Sequence, residues 1–126
     1  MADEAELARI LADGLRLWDE RRFFECHDKL EEAWQALKQE KKSEPPKDPR
    51  RDFVHGVILL SAAYVHWQRG NRVGIERKLA DAERLFRSGG RSGFGIDPQR
   101  LDAVEADLRR GIQGTAYDPE RAPRLS

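Results

Sequence analysis

Asp52-Phe53-Val54-His55-Gly56-Val57-Ile58-Leu59-Leu60-Ser61-Ala62-Ala63-Tyr64-Val65-His66-Trp67-Gln68-Arg69 is the stretch that decides the fold. Wound as a helix, it carries apolar side chains on nearly every side, which in a soluble chain means that neighbours surround it. Its weakly charged part, Phe53 to Gln68, is shorter than the roughly 20 residues a membrane-spanning helix needs, and it contains two histidines. We therefore expect the central helix of a protein interior. Gly56, Ala62 and Ala63 are small enough to let the surrounding elements come close, at some cost in helix propensity for the glycine.

Working outward, the preceding segments read as an antiparallel pair. Leu7, Ile10, Leu11, Gly14, Leu15 and Trp18 recur at spacings of three and four, the mark of one apolar stripe on a helix beginning near Asp3. After a charged corner at Asp19 to Arg22, Phe23, His27, Leu30, Trp34 and Leu37 continue the same period, with Glu25, Asp28, Lys29 and Glu32 on the other side. Lys41 to Arg51 holds three prolines among charged residues and reads as an exposed connection, with the central helix starting at about Asp52.

Gly70-Asn71 ends the central helix and Asn71 is placed to cap the next one, which turns Ile75, Leu79, Ala82, Leu85 and Phe86 inward. The glycines between Gly89 and Gly95 do not form a phosphate loop, since no strand precedes them and no Gly-Lys-Ser/Thr follows. Asp97-Pro98 is a strong helix start, and Leu101, Val104, Leu108 and Ile112 form a fifth stripe. The expected fold is all-α, a five-helix bundle of antiparallel helical hairpins in one domain over residues 1–114. Residues 115–126 have little to bury and are expected to be a loosely held tail or an extended strap.

A faint internal echo at an offset of 49 residues pairs Trp18, Leu30, Ala33 and Leu37 with Trp67, Leu79, Ala82 and Phe86. Each copy would be two helices around a tight corner, reminiscent of tetratricopeptide hairpins but without their 34-residue period.

Twenty-three basic and twenty-three acidic residues leave no net charge, so no overall field draws the chain to nucleic acid or an anionic membrane. The single cysteine, Cys26, forms no internal disulfide, and acidic residues stand at the amino terminus where a secretory signal would be basic. These features fit a cytoplasmic protein. Cys26 and His27 point about 100° apart on a helix and do not make a thiolate–imidazole pair, so Cys26 reads as a packing residue.

The candidate site lies on the second and third helices. Glu31 follows His27 by one turn and Trp34 by a further turn, which sets a titratable pair beside an aromatic wall. Antiparallel packing brings the first half of the second helix to the second half of the third, and so pairs His27 with His66. His55 and His66 lie about 16 Å apart along the helix axis and cannot serve one ion together. His27, Glu31 and His66 are thus a candidate three-ligand set for zinc or another divalent ion. No repeated Glu-x-x-His or His-Glu-x-x-His supports it, and neutral core histidines or a metal-free pocket are the competing readings.

The residues that carry these features also carry a family resemblance. Phe23-Phe24-Glu25-Cys26-His27-Asp28 with Leu30-Glu31-Glu32-Ala33-Trp34, then Gly56-Val57-Ile58, Ala62-Ala63, His66 and Arg69-Gly70-Asn71, then Gly95-Ile96-Asp97 resemble the domain of unknown function numbered 309. This is a family of small all-helical bacterial and archaeal proteins, and the resemblance covers most of the first four helices. It implies an all-α fold and a shared surface centred on Glu25, His27, Glu31, Trp34 and His66, with no named activity. The chain departs from the pattern at Arg21, where the corner usually has glycine, and at His55, where glutamine or an aliphatic residue is expected.

The leading expectation is a non-enzymatic module that binds a small molecule or a protein, without a resident cofactor, and homo-oligomerisation is open to it. The alternative is a divalent-metal-dependent, hydrolase-like enzyme in which His27 and His66 hold the ion and Glu31 or Glu25 acts as base.

Overall fold

The computed structural model describes residues 3–39 and 49–126. Five helices follow in order: α1 (Glu4–Asp19), α2 (Phe23–Gln39), α3 (Pro49–Gln68), α4 (Arg72–Gly89) and α5 (Pro98–Ile112). Each packs against the next in the chain, and α5 also reaches α3. The fold is all-α, as the sequence predicts, with α3 at its centre: eleven of its residues, from Phe53 to Trp67, are buried.

The start of α3 corrects the sequence reading. Pro49, Arg50 and Arg51 belong to its first turn and not to the connection, because proline at the first helical position sacrifices no hydrogen bond. Arg50 then reaches both carboxylate oxygens of Glu4 on α1 at 3.1 Å. Residues 41–48 of the expected connection lie outside the described residues.

The 49-residue echo is structural. At the α1–α2 corner, Arg21 N–H donates to Trp18 O and Arg22 N–H to Leu17 O; at the α3–α4 corner, Gly70 N–H donates to Trp67 O and Asn71 N–H to His66 O. Both are Schellman caps, and both need a left-handed residue, supplied by Arg21 at φ 66° and Gly70 at φ 73°. Beyond the corners, Leu30 and Leu79, Ala33 and Ala82, and Leu37 and Phe86 are all buried. Phe24 and Val73, also an equivalent pair, are the large apolar residues left exposed among the described residues.

One side of α3 is sealed. Phe23 stacks on Tyr64 with ring centres 4.4 Å apart, and the edge of Trp18 meets Tyr64 at 5.4 Å. The Tyr64 hydroxyl donates to Asp107 on α5 at 2.7 Å, which satisfies the one polar atom that burying this ring would otherwise strand. Gly56 lets the Phe86 ring close on the α3 backbone, since a Cβ there would stand 2.6 Å from the ring.

The C-terminal residues are a strap and not a loosely held tail. Trp18 and Trp67 donate their indole N–H groups to the carbonyls of Pro123 and Thr115, at 2.9 and 2.8 Å. Arg21 donates to the carbonyls of Pro119, at 2.7 Å, and Ala122, while Asp19 accepts from Leu125 N–H at 3.0 Å. Ala122 and Leu125 are buried. These donors need acceptors once the core closes, and main-chain carbonyls of a segment that lies outside any helix supply them.

Candidate functional site

The sealed side of α3 leaves a stripe on the opposite side, Asp52, His55, Leu59, Ala62, His66 and Arg69, where no side chain is fully buried. These residues fall in one line because eleven residues make almost three whole turns. α2 and α4 flank the stripe. On the α2 side stand His27, Glu31 and Trp34, all partly exposed; on the α4 side stand Gly74, Lys78, Asp81 and Leu85.

Two contacts fix how α2 lies on α3. Phe23 stacks on Tyr64, and the Trp34 ring lies 4.9 Å from that of His55. The helices are antiparallel, as expected, but this register carries His27 to the level of Ser61 and Ala62, about one turn short of His66. His66 turns to α4 instead. Its Nδ1 accepts from the Asn71 side-chain amide at 3.2 Å, while the Asn71 oxygen caps α4 by accepting from Gly74 N–H at 2.9 Å. The ring lies so close to α4 that a Cβ on Gly74 would stand 2.4 Å from it.

The expected constellation is therefore divided. His27 Nδ1 lies 3.9 Å from Glu31 and 3.4 Å from Asp28, which leaves His27 and Glu31 as neighbours on α2. Glu25 is drawn away to the corner by an ion pair with Arg22. Among the described residues, no group of three or more His, Cys, Asp or Glu side chains is arranged to hold a metal ion, and His27, Glu31 and His66 do not meet as one.

His55, given no role in the sequence reading, is the histidine that joins the α2 wall. Burial presses its pKa below 6.5, against the pull of the carboxylates of Asp52, Glu31 and Asp81 and with the help of Lys78. It thus sits between a carboxylate of α2 and the charged groups of α4, in the middle of the open face. His66 is also held below 6.5, by burial first and then by Lys78 and Arg69. Only the register could have revealed the His55 contact, and the spacing of either helix alone does not contain it.

Trp34 differs from the other two tryptophans. Trp18 and Trp67 spend their indole N–H groups on the strap, whereas that of Trp34 makes no hydrogen bond among the described residues. Its ring is half-buried between His55 and the Lys38 ammonium, which lies 4.4 Å from the ring centre. The face is open and not a closed pocket. A depression of about 510 Å³ lies along α2, lined by Asp28, Glu31, Glu32, Gln35 and Ala36. The enclosed apolar cavity between Leu11, Leu30, Phe53 and Phe94 is about 10 Å³, too small for a ligand.

Comparison with known proteins places this architecture. The model of a domain of unknown function, DUF309, matches residues 11–77, just over half of the chain. The chain belongs to the DUF309 family. It is also similar to the uncharacterized protein YpuF of Bacillus subtilis (strain 168), at 37% identity over 83 residues. That match covers 64% of this chain and 43% of YpuF, so the chain spans less than half the length of that relative. No solved structure matches it. The family match contains the α1–α2 corner, α2, α3 and the first turns of α4, so it includes the α2 wall and the α3 stripe of the open face but ends before Lys78, Asp81 and Leu85. No helix among the described residues is long and apolar enough to cross a membrane.

Proposed function

We propose that this DUF309 chain is a non-enzymatic interaction module, and that it engages a protein partner through the open face of α2, α3 and α4. The observation that supports this reading most is Trp34. It is a large aromatic ring with an unused donor, set on α2 against His55 of α3 and the Lys38 ammonium, with Glu31 about one turn before it on α2. Aromatic groups of this kind anchor protein interfaces because they bring large area with few rotamers to freeze. The breadth of the face favours a protein over a small molecule, which needs a concave site that surrounds it.

Incorporating a photocrosslinking amino acid at Gln35, on the rim beside Trp34, tests the reading in living cells. Discrete adducts are expected from position 35 and not from Arg9, on the exposed side of α1, and Trp34→Ala should abolish them. Equal labelling at both positions, or adducts indifferent to Trp34→Ala in a folded chain, would overturn the reading.

A further inference from the structure

The charges on the two walls of the open face differ in sign. On the α2 wall, Lys38 is held over the Trp34 ring and Glu32 is taken by Lys29, which leaves Asp28 and Glu31 beside a histidine. On the α4 wall, Asp81 is taken by Arg84, which leaves Arg77 and Lys78 with no ion pair among the described residues. Between the walls runs an uncharged floor of Leu59 and Ala62. An acidic rail, an apolar floor bounded by His55 and His66, and a basic rail lie side by side, and α2 and α4 run in the same direction because each is antiparallel to α3.

From this arrangement we infer that the occupant of the face is a second copy of this chain, related by a two-fold axis parallel to α3. That rotation lays each α2 beside α4 of the other copy, so that Asp28 and Glu31 face Arg77 and Lys78 twice over, in a closed isologous pair. A two-fold axis perpendicular to α3 would set acidic rail on acidic rail and is disfavoured by like-charge repulsion. The inference rests on reading this face as an interaction surface, and names its partner.

Charge reversal tests it on the full chain by sedimentation equilibrium at low and high salt. The wild type should form a dimer that weakens as salt rises. Asp28→Lys with Glu31→Lys makes both rails basic, and Arg77→Glu with Lys78→Glu makes both acidic; each double variant should associate at least about tenfold more weakly with itself. Mixed in equal amounts, the two variants should recover a dimer containing one of each, because every α2–α4 contact is then between opposite charges. Circular dichroism of each variant confirms that the helices are kept.

A wild type that is monomeric throughout, or a mixture that associates no better than its components, would overturn the inference. So would wild-type association that the reversals leave untouched. The mass of the adduct at position 35 separates this failure from that of the broader reading. An adduct with a different protein retains the interaction face and removes the second copy, whereas no Trp34-dependent adduct removes both.

Discussion

The indole of Trp34 on α2 lies 4.9 Å from the imidazole of His55 on α3, the rings tilted at 40° to one another. This contact, and not the His27–His66 pair that helix periodicity suggests, joins the two helices on the open face. It places a histidine with a depressed pKa at the foot of the half-buried aromatic ring, so the face is sensitive to protons.

His55 and His66 both bind their protons more weakly in the folded chain than at the ordinary value of 6.5. The unfolded chain therefore takes up protons first as the pH falls, and acid favours unfolding. Their contribution should be fully present above pH 6.5 and be lost as the pH drops through the lower folded-state values. Proton NMR should give both rings midpoints below 6.5, and replacing both by glutamine should flatten the fall in urea midpoint on acidification. A midpoint at or above 6.5 for His55 would refute the burial argument.

Arg21 carries two opposed effects. Its left-handed backbone costs about 1–2 kcal/mol relative to glycine, while its side chain ties the strap by hydrogen bonds to Pro119 and Ala122. Arg21→Ala keeps the backbone cost and loses the tie, and should lower stability by about 1–3 kcal/mol. Arg21→Gly loses the tie but relieves the backbone, so its unfolding midpoint should lie above that of Arg21→Ala. Equal midpoints would show that the corner is not strained.

Gly74→Ala drives a methyl group into the His66 ring and should destabilise the chain by about 1–3 kcal/mol. His66→Ala alone loses the hydrogen bond to Asn71. In the double variant the vacated space accepts the methyl group, and the combined loss should be smaller than the sum of the two. Strict additivity in a denaturation cycle would contradict the close approach.

Cys26 is fully buried, and burial raises its thiol pKa to about 12. A thiol reagent should leave it unmodified in the native chain at neutral pH and label it at the rate of unfolding. Rapid native-state labelling would mean that α2 opens from α1 far more readily than its packing implies.

The elements were legible wherever the determinant is local. The Asp97-Pro98 start, the Asn71 cap and the apolar girth of α3 all follow from neighbouring residues. The glycine expected at position 21 and the weak echo 49 residues apart were traces of one fact, that both corners are the same left-handed cap. The open face was half legible. His27 and Glu31 share a helix, and their proximity follows from its pitch. His55 and His66 found their partners through the register of α3 on α2 and on α4, which large rings such as Phe23 and Tyr64 settle by packing. The strap was the least legible part, because its acceptors are main-chain carbonyls, which every residue has.

The indole bond from Trp18 to Pro123 spans 105 positions in the chain, while the helices pack mostly on their neighbours in sequence. Folding can therefore proceed hairpin by hairpin at the speed of short-range contacts, leaving one slow, distant closure for the end. The same seam should be the first to part, so amides around Leu125 are expected to exchange with solvent while those in the middle of α3 are still shielded.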